Sequence, residues 1–225
     1  MLLSKIIREI FRGIITKKFI NSQGYWEERY YYGGNSGRGS YGEDARIKSN
    51  FLNDTVQNYN IENVVDIGCG DGNNLSYFNT MNYIGVDLSK TIIKKNKKKF
   101  VNDKSKKFYL LGNNQEDILK NINQSINKIN TIILSFDVIF HLVEDKTYND
   151  HLDFLNNINA SYCLVSSSDI NIRYNLLVPH VRHRNYSKDM LLRGWSLIDS
   201  KQIPDCPDNR EIKLYQKENI DNNII

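Results

Sequence analysis

The sequence predicts an α/β fold built on a doubly wound, mostly parallel sheet. Short and almost uninterrupted apolar runs alternate with stretches of helical periodicity, the order expected when helices cover both faces of a sheet. A glycine-rich turn follows the first of these runs, at residues 68–72. The last two predicted strands are joined by a loop too short for a helical crossover, so this pair should be antiparallel.

The apolar runs define a Rossmann-like, seven-stranded mixed sheet in which the last strand is antiparallel. Strands are predicted at residues 63–67, 83–88, 107–111, 131–136, 162–166, 195–203 and 211–217. Helices are predicted at residues 47–59, 73–79, 90–101, 115–128 and 148–158.

The length of 225 residues fits one such domain with an added N-terminal element. We expect residues 1–60 to hold an amphipathic helix and a glycine-rich lid segment, residues 61–218 to form the α/β domain, and residues 219–225 to be a frayed tail. Apolar residues make up 40% and charged residues 25% of the chain, which is ordinary globular usage and argues against global disorder.

Charge and cysteine content narrow the class of protein. The net charge of +4 is mild, and the basic run at residues 94–99 carries no interleaved aromatic residues, so no nucleic-acid partner is expected. Cys69, Cys163 and Cys206 form no C-x-x-C pair, which predicts neither a disulfide framework nor a zinc site. A reducing cytoplasm is the default location.

The first twenty residues have an amphipathic pattern, with isoleucines and basic residues on alternate faces. Charges interrupt the apolar run every few residues, so the segment is a poor signal peptide. It also contains no apolar stretch long enough to span a membrane. Two interpretations remain open. The segment packs on its own domain or a second subunit, or it lies on an anionic membrane surface at the inner face of the membrane. The oligomeric state is not predicted.

The glycine turn and a distant acid carry the first chemical signal. Residues 64–74 read VVDIGCGDGNN, between a strand and a helical stretch, and Asp87 ends the second strand. Glycine lets a ligand approach the backbone closely. In such folds, an acid at the end of the second strand accepts hydrogen bonds from ribose hydroxyls. The G-x-G-x-G spacing differs from the dinucleotide fingerprint. Asp66 and Asp71 would repel a pyrophosphate but suit an ammonium and a sulfonium, which favours S-adenosylmethionine.

These motifs resemble those of class I S-adenosylmethionine-dependent methyltransferases, through VVDIGCGDG and YIGVDLS, over roughly residues 60–217. The resemblance implies that the glycine loop surrounds the methionyl part, that Asp87 holds the ribose and that Asn113 or Asn114 lies beside the adenine. The cofactor-binding candidates are Asp66, Gly68, Cys69, Gly70, Asp71, Gly72, Asp87, Leu88, Asn113, Asn114 and Ser135.

A narrower resemblance lies upstream, in the stretch WEERYYYGGNSGRGSYG at residues 26–42, and in HLVED at residues 141–145. Both stretches are similar to signatures of a methyltransferase subgroup associated with surface-polysaccharide and capsule biosynthesis. This resemblance implies a small acceptor, such as a sugar or a nucleotide-linked or phosphate-linked precursor.

Five glycines crowd residues 33–42, among aromatic residues that flexible linkers usually avoid. We interpret this stretch as a lid over cofactor and substrate, with a plain linker as the alternative. Tyr30, Arg38 and Tyr41 are substrate-binding candidates, because the arginine could meet a carboxylate or phosphate.

The residues after the fourth strand should face the acceptor. Asp137 and His141 could share one face of a helical turn, and they are the catalytic candidates. Methyl transfer depends mainly on alignment, but an alcohol acceptor must also lose a proton, which His141 could take as general base. The alternatives are a structural histidine and substrate binding without proton transfer. Glu144 is interpreted as a helix-surface acid.

A basic segment, PHVRHRNY at residues 179–186, follows the fifth strand. Its predicted role is recognition of an anionic substrate group, since arginine forks suit phosphate and carboxylate. A solvated basic loop is the alternative, and a metal site lacks a third ligand. The substrate-binding candidates here are His180, Arg182, His183 and Arg184.

The leading functional hypothesis is therefore methyl transfer to an oxygen of a sugar or phosphate-linked precursor. N-methylation of an amine, or methylation of a phosphate or phosphoramidate oxygen, stays open because such nucleophiles need no strong base. A non-catalytic S-adenosylmethionine-binding module is the competing class. Nucleic-acid methylation is disfavoured, because no N-P-P-Y-like tetrapeptide follows the fourth strand.

Overall fold

A computed structural model describes residues 19–79, 82–112, 114–172, 178–204, 206 and 208–218. Residues 1–18, which carry most of the predicted amphipathic helix, lie outside the described residues, as do Asn113 and the predicted tail. Within the described part of the chain, no helix has both the length and the apolar character needed to cross a bilayer.

The predicted sheet is confirmed. Its seven strands lie in the order β3-β2-β1-β4-β5-β7-β6, and only β7 runs antiparallel to its neighbours. The strands are β1 (Asn63–Ile67), β2 (Asn82–Asp87), β3 (Lys106–Leu110), β4 (Thr131–Phe136), β5 (Tyr162–Ser168), β6 (Trp195–Gln202) and β7 (Arg210–Lys217).

The two central strands are buried on both faces, which explains their unbroken apolar sequences. Every residue of β1 and β4 is buried. Alternate side chains point to opposite faces of a strand, so Val64 and Ile132 join one core cluster while Val65 and Ile133 join the other.

In the described part of the chain, six helices surround the sheet: α1 (Ser22–Tyr31), α2 (Gly42–Asn58), α3 (Lys90–Lys99), α4 (Gln115–Ser125), α5 (Asp145–Asn157) and α6 (Tyr186–Leu191). The helix predicted at residues 73–79 is only a short 3₁₀ turn, Asn74–Tyr77, in which Leu75 is the one buried residue. Conversely, α1 was not predicted, because it buries only Ser22 and Tyr30 and so lacks a periodic apolar face. Its one local signal is Asn21, whose side chain accepts a hydrogen bond from the Gly24 N–H as an N-cap.

Candidate active site

The glycine loop lies at the carboxyl ends of β1 and β2 and is shaped by left-handed backbone. Gly68 and Gly70 have φ angles of 85° and 53°. A Cβ on Gly68 would lie 2.4 Å from a methyl group of Val138, and one on Gly70 would lie 2.3 Å from the Ser36 hydroxyl. Both positions therefore require glycine, because other segments of the chain pack directly on the loop.

Two buried carboxylates support this loop in different ways. Asp87 accepts hydrogen bonds from the N–H groups of Gly70 (3.0 Å) and Ser89 (2.8 Å), and burial raises the pKa of Asp87 to about 6. Asp66 accepts a 2.7 Å hydrogen bond from the Tyr83 hydroxyl, and burial raises the pKa of Asp66 to about 7. Asp87 lines the cavity described next, whereas Asp66 supports the strand behind the loop.

A cavity of about 390 Å³ opens beside the loop, a size in the usual range for small-molecule sites. We call it the first cavity. Of the candidates from the sequence, it is lined by Gly68, Gly70, Asp87, Leu88, Tyr30, Asp137 and His141. Cys69, Asp71, Gly72, Asn114 and Ser135 are not among its lining residues. Apolar Val86 and Leu111 line it together with Gly112 and Gln115, near the ends of β2 and β3.

Asp71 holds the glycine-rich segment of residues 33–42, which we call the lid segment. The Asp71 carboxylate accepts hydrogen bonds from the Ser36 N–H (2.9 Å) and the Tyr41 hydroxyl (2.8 Å). The Asp71 N–H donates in turn to the Ser36 hydroxyl at 2.9 Å. Asp71, expected beside a cofactor, is therefore occupied by the lid segment.

Helix α1 is fixed on both sides of the first cavity. At its start, the Ser22 N–H and hydroxyl donate to the Glu144 carboxylate at 2.9 and 2.8 Å. Further along, Glu27 accepts hydrogen bonds from Ser89 (2.6 Å) and from the Thr91 N–H (3.2 Å) at the start of α3. The interpretation of Glu144 as a helix-surface acid is wrong, because its carboxylate turns toward α1 and lines the cavity.

His141 ends the short 3₁₀ turn that follows β4, Ile139–His141. Its Nδ1 lies 3.0 Å from the carbonyl oxygen of His180. A carbonyl only accepts hydrogen bonds, so Nδ1 carries the proton and Nε2 keeps a free electron pair. Burial lowers the pKa of His141 to about 4, so the imidazole is neutral at physiological pH.

Asp137 does not share a regular helical turn with His141, because its backbone is left-handed with φ of 58°. Its carboxylate accepts a hydrogen bond from Lys48, which is fully buried, and lies 3.3 Å from Arg210 Nη1. Although burial alone would raise it, these two cations hold the pKa of Asp137 below its ordinary value. Asp137 is thus an ionised and paired carboxylate, not a free base.

A second cavity of about 230 Å³ lies beyond His141. Four residues line both cavities, so they form the wall between them: Trp26, Ser36, Asp137 and His141. The rest of the lining includes aromatic residues (Tyr25, Phe140 and His180) and the arginines Arg29, Arg38 and Arg210. The Arg38 side chain is 69% exposed, and its nearest acid is Asp44, at 3.6 Å.

The basic segment after β5 is used differently from expectation. Arg182 and Arg184 both donate to the carbonyl of Val143, at 3.0 and 2.9 Å, and both pair with Asp145. The guanidinium N–H groups of Arg182 and Arg184 hold the chain after β4 in place and are not turned toward either cavity. His183 contacts the Ser168 hydroxyl and lines neither cavity, whereas His180 lines the second.

Several residues of this site escaped the sequence analysis, namely Tyr25, Lys48, His151 and Arg210. His151 lines the first cavity, with its Nε2 3.0 Å from the Ser135 hydroxyl. Contacts between segments that are distant in the sequence bring these residues to the site, and no local sequence pattern reveals such contacts. Among the described residues, no group of three or more His, Cys, Asp or Glu side chains is arranged to hold a metal ion.

Comparisons with known proteins give one family match and several matches of fold. Residues 65–161 match a family model described as a methyltransferase domain. A comparison with curated protein sequences finds no match.

Solved structures share the fold at low identity. The N-methyltransferase NodS from Bradyrhizobium japonicum WM9, in complex with S-adenosylhomocysteine, superposes with a TM-score of 0.66 at 13% identity, covering 88% of this chain and 99% of that one. Magnesium protoporphyrin IX methyltransferase from Synechocystis PCC 6803, also with bound S-adenosylhomocysteine, gives 0.58 at 15% identity, covering 91% and 99%. The chain thus shares its fold with these two methyltransferases, and the methyltransferase-domain model matches its central part.

Proposed function

We propose that this protein is an S-adenosylmethionine-dependent methyltransferase. It transfers the methyl group to an oxygen of a small acceptor, a sugar or phosphate-linked precursor of a surface glycan, with His141 as general base. The observation that carries the proposal is the position of His141. Its imidazole lies on the wall between two cavities and keeps an unprotonated Nε2. The surface-glycan part rests on the motif resemblance at residues 26–42 and 141–145.

The residues of the first cavity fit S-adenosylmethionine. The Asp87 carboxylate would accept from the ribose hydroxyls, and the glycine loop, whose Gly68 and Gly70 line this cavity, would hold the methionyl part. Apolar Leu88 and Leu111 suit the adenine face. The cofactor supplies a methyl group on a sulfonium, which a nucleophile displaces in line.

Helix α1 and the lid segment would cover the bound cofactor. Both lie against the site through hydrogen bonds of Ser22, Glu27 and Ser36 that reach three different elements of the domain. Such a cover excludes water and holds the reactants in line, which is where most of the acceleration of a displacement arises. We therefore keep the lid role for residues 33–42, with Asp71 as its anchor.

The second cavity would bind the acceptor, because His141 and Asp137 connect it to the first. Its aromatic walls suit the apolar face of a ring-shaped molecule. Arg38 is the cation best placed to meet an anionic group, since its side chain is exposed at the cavity, while Arg210 is paired with Asp44, Asp137 and Asp208. We therefore keep for Arg38 the anion-binding role predicted from the sequence and do not assign it to Arg182 or Arg184, whose donors bond to the Val143 carbonyl.

One observation favours a second candidate reaction, methyl transfer to a phosphate oxygen or an amine. Burial lowers the pKa of His141 to about 4, which makes the imidazole a weak proton acceptor. A phosphate oxygen or a neutral amine already has an available electron pair and needs no strong base. In that case His141 would orient the acceptor, and Arg38 would matter most for a phosphate.

Acceptor screening distinguishes these reactions. The enzyme is incubated with ¹³C-methyl-labelled S-adenosylmethionine and monosaccharides, sugar phosphates, nucleotide sugars or amino sugars. S-adenosylhomocysteine release reports turnover, and the ¹³C shift of the product identifies an O-methyl or N-methyl group. We expect O-methyl products from hydroxylated sugars that carry a phosphate. Turnover confined to amines, with N-methyl products, would contradict the oxygen assignment.

Cofactor affinity should depend on Asp87. Replacing it in Asp87→Ala removes the acceptor for the ribose hydroxyls, and losing hydrogen bonds to a charged group should weaken binding by about tenfold to a hundredfold. Isothermal titration with S-adenosylhomocysteine measures the change, with Asp103→Ala as control because Asp103 is exposed on a distant turn. Equal affinity of a folded Asp87→Ala variant and the wild type would place the ribose elsewhere.

A further inference from the structure

Three rings from three separate segments form one stack at the wall of the second cavity. His180 lies between Tyr25 of α1 and His141. The ring centroids of Tyr25 and His180 are 4.3 Å apart at an interplanar angle of 11°, and those of His180 and His141 are 5.5 Å apart at 13°. Trp26 meets His141 edge-on, with centroids 4.9 Å apart. The imidazole of His141 is thus covered on one face by another imidazole.

His180 contacts His141 a second time through its backbone. Its carbonyl oxygen accepts the hydrogen bond from His141 Nδ1, at 3.0 Å. The segment that carries His180 is itself fixed to the chain after β4, because the Arg182 N–H donates to the Phe140 carbonyl at 2.8 Å. The ring and the carbonyl of one residue therefore act on the same imidazole.

We propose that His180 is a positioning residue for His141: its ring, held between Tyr25 and His141, keeps its carbonyl on Nδ1 and so fixes the tautomer that leaves Nε2 free. This inference rests on the proposed role of His141. It differs from acceptor binding, which the sequence suggested for His180, because the partner of His180 is the base itself.

Other charged and titratable groups besides His180 also surround His141. Burial disfavours the charged form of His141 most strongly. The His180 carbonyl and Asp137 favour the charged form, whereas the His180 ring and Arg29 disfavour it. The charged or titratable groups that line the two cavities near it include Arg29 on α1, Asp137 and Glu144 on its own segment, His180 after β5, and Arg38, Asp208 and Arg210 across the second cavity.

The test is ¹H–¹⁵N imidazole spectroscopy of the enzyme without acceptor. The chain has four histidines, so each is assigned by a single substitution. At neutral pH we expect wild-type His141 to be protonated at Nδ1 alone. In His180→Ala, which keeps the backbone but loses the stacked ring, we expect a mixture of both tautomers. The titration midpoint of His141 should also rise by about one pH unit or more, toward the value of about 6.5 for a solvated imidazole.

Matched variants separate the loss of His141 positioning from a general disturbance of the structure. His183→Ala removes a histidine of the same segment that does not stack on His141 and should leave the spectrum of His141 unchanged. His180→Phe restores a flat ring and should restore the single tautomer. The buried His151, hydrogen-bonded to Ser135, reports that the fold is intact.

Two results would overturn the inference. One is a folded His180→Ala variant in which His141 keeps a single Nδ1-protonated tautomer and its wild-type midpoint. The other is an equal change in His183→Ala. Because neither measurement uses turnover, failure here leaves the methyl-transfer proposal standing, and that proposal fails separately if His141 itself proves dispensable.

Discussion

His141→Ala should lose about 10²–10⁴-fold in turnover, the range typical of removing a general base. Affinity for S-adenosylmethionine should change little, because Asp87 and the glycine loop do not contact the imidazole. Single-turnover methyl transfer with an acceptor from the screen measures the first quantity, and isothermal titration measures the second. His183→Ala is the control, since His183 lines neither cavity. Near-normal turnover of His141→Ala would end the general-base role.

The pH profile gives an independent test of the same residue. Protonation of Nε2 removes the electron pair, so the rate should fall as the pH falls through the pKa of His141. For a solvated imidazole, this acid limb of the pH–rate profile would lie near pH 6.5. Burial lowers the pKa of His141 to about 4, so the limb should appear near pH 4 instead. A rate that already falls between pH 7 and 6 would mean that another group titrates.

A phosphate acceptor would change the pattern in a recognisable way. His141→Ala would then mainly raise the KM for the acceptor, and Arg38→Gln would weaken acceptor binding more strongly than Arg182→Gln. Arg182 already donates to the Val143 carbonyl and pairs with Asp145, so removing it should reduce stability more than specificity.

The sheet and the glycine loop could be predicted because their signals are local. Strand β4 reads as an apolar run since both of its faces are buried, and the Gly68 and Gly70 pattern reflects left-handed backbone within one turn. Both depend on the residue type at each position and on its immediate neighbours.

The polar contacts of the site could not be predicted in this way. Composition does not distinguish an arginine that faces a ligand from one that, like Arg184, donates to the carbonyls of Leu142 and Val143. Likewise, Lys48 sits in an otherwise ordinary amphipathic helix, and only the fold brings it to Asp137. The choice between a free carboxylate and a paired one is made by contacts between segments far apart in the chain.

The buried pair of Lys48 and Asp137 should be the most sensitive point for stability. Lys48 is fully buried, and Asp137 is almost so; the carboxylate also accepts from the Ser166 hydroxyl at 3.0 Å. Removing one partner of such a pair leaves an uncompensated charge, which costs about 3–5 kcal/mol. We therefore expect Asp137→Ala to lower the free energy of unfolding by that amount, measured by urea denaturation.

A surface pair of the same residue types provides the control. Lys146 Nζ lies 2.6 Å from an Asp150 carboxylate oxygen on α5, but the Lys146 side chain is 85% exposed, so Asp150→Ala should change stability little.

The contribution of Asp137 to stability depends on pH with a definite sign. Lys48 and Arg210 keep the pKa of Asp137 below its unfolded value of about 3.9, so its contribution is present above that pH and is lost as the pH falls through the folded pKa. The gap between wild type and Asp137→Ala should therefore narrow in acid. Equal losses for Asp137→Ala and Asp150→Ala at neutral pH would show that water, not Asp137, compensates Lys48.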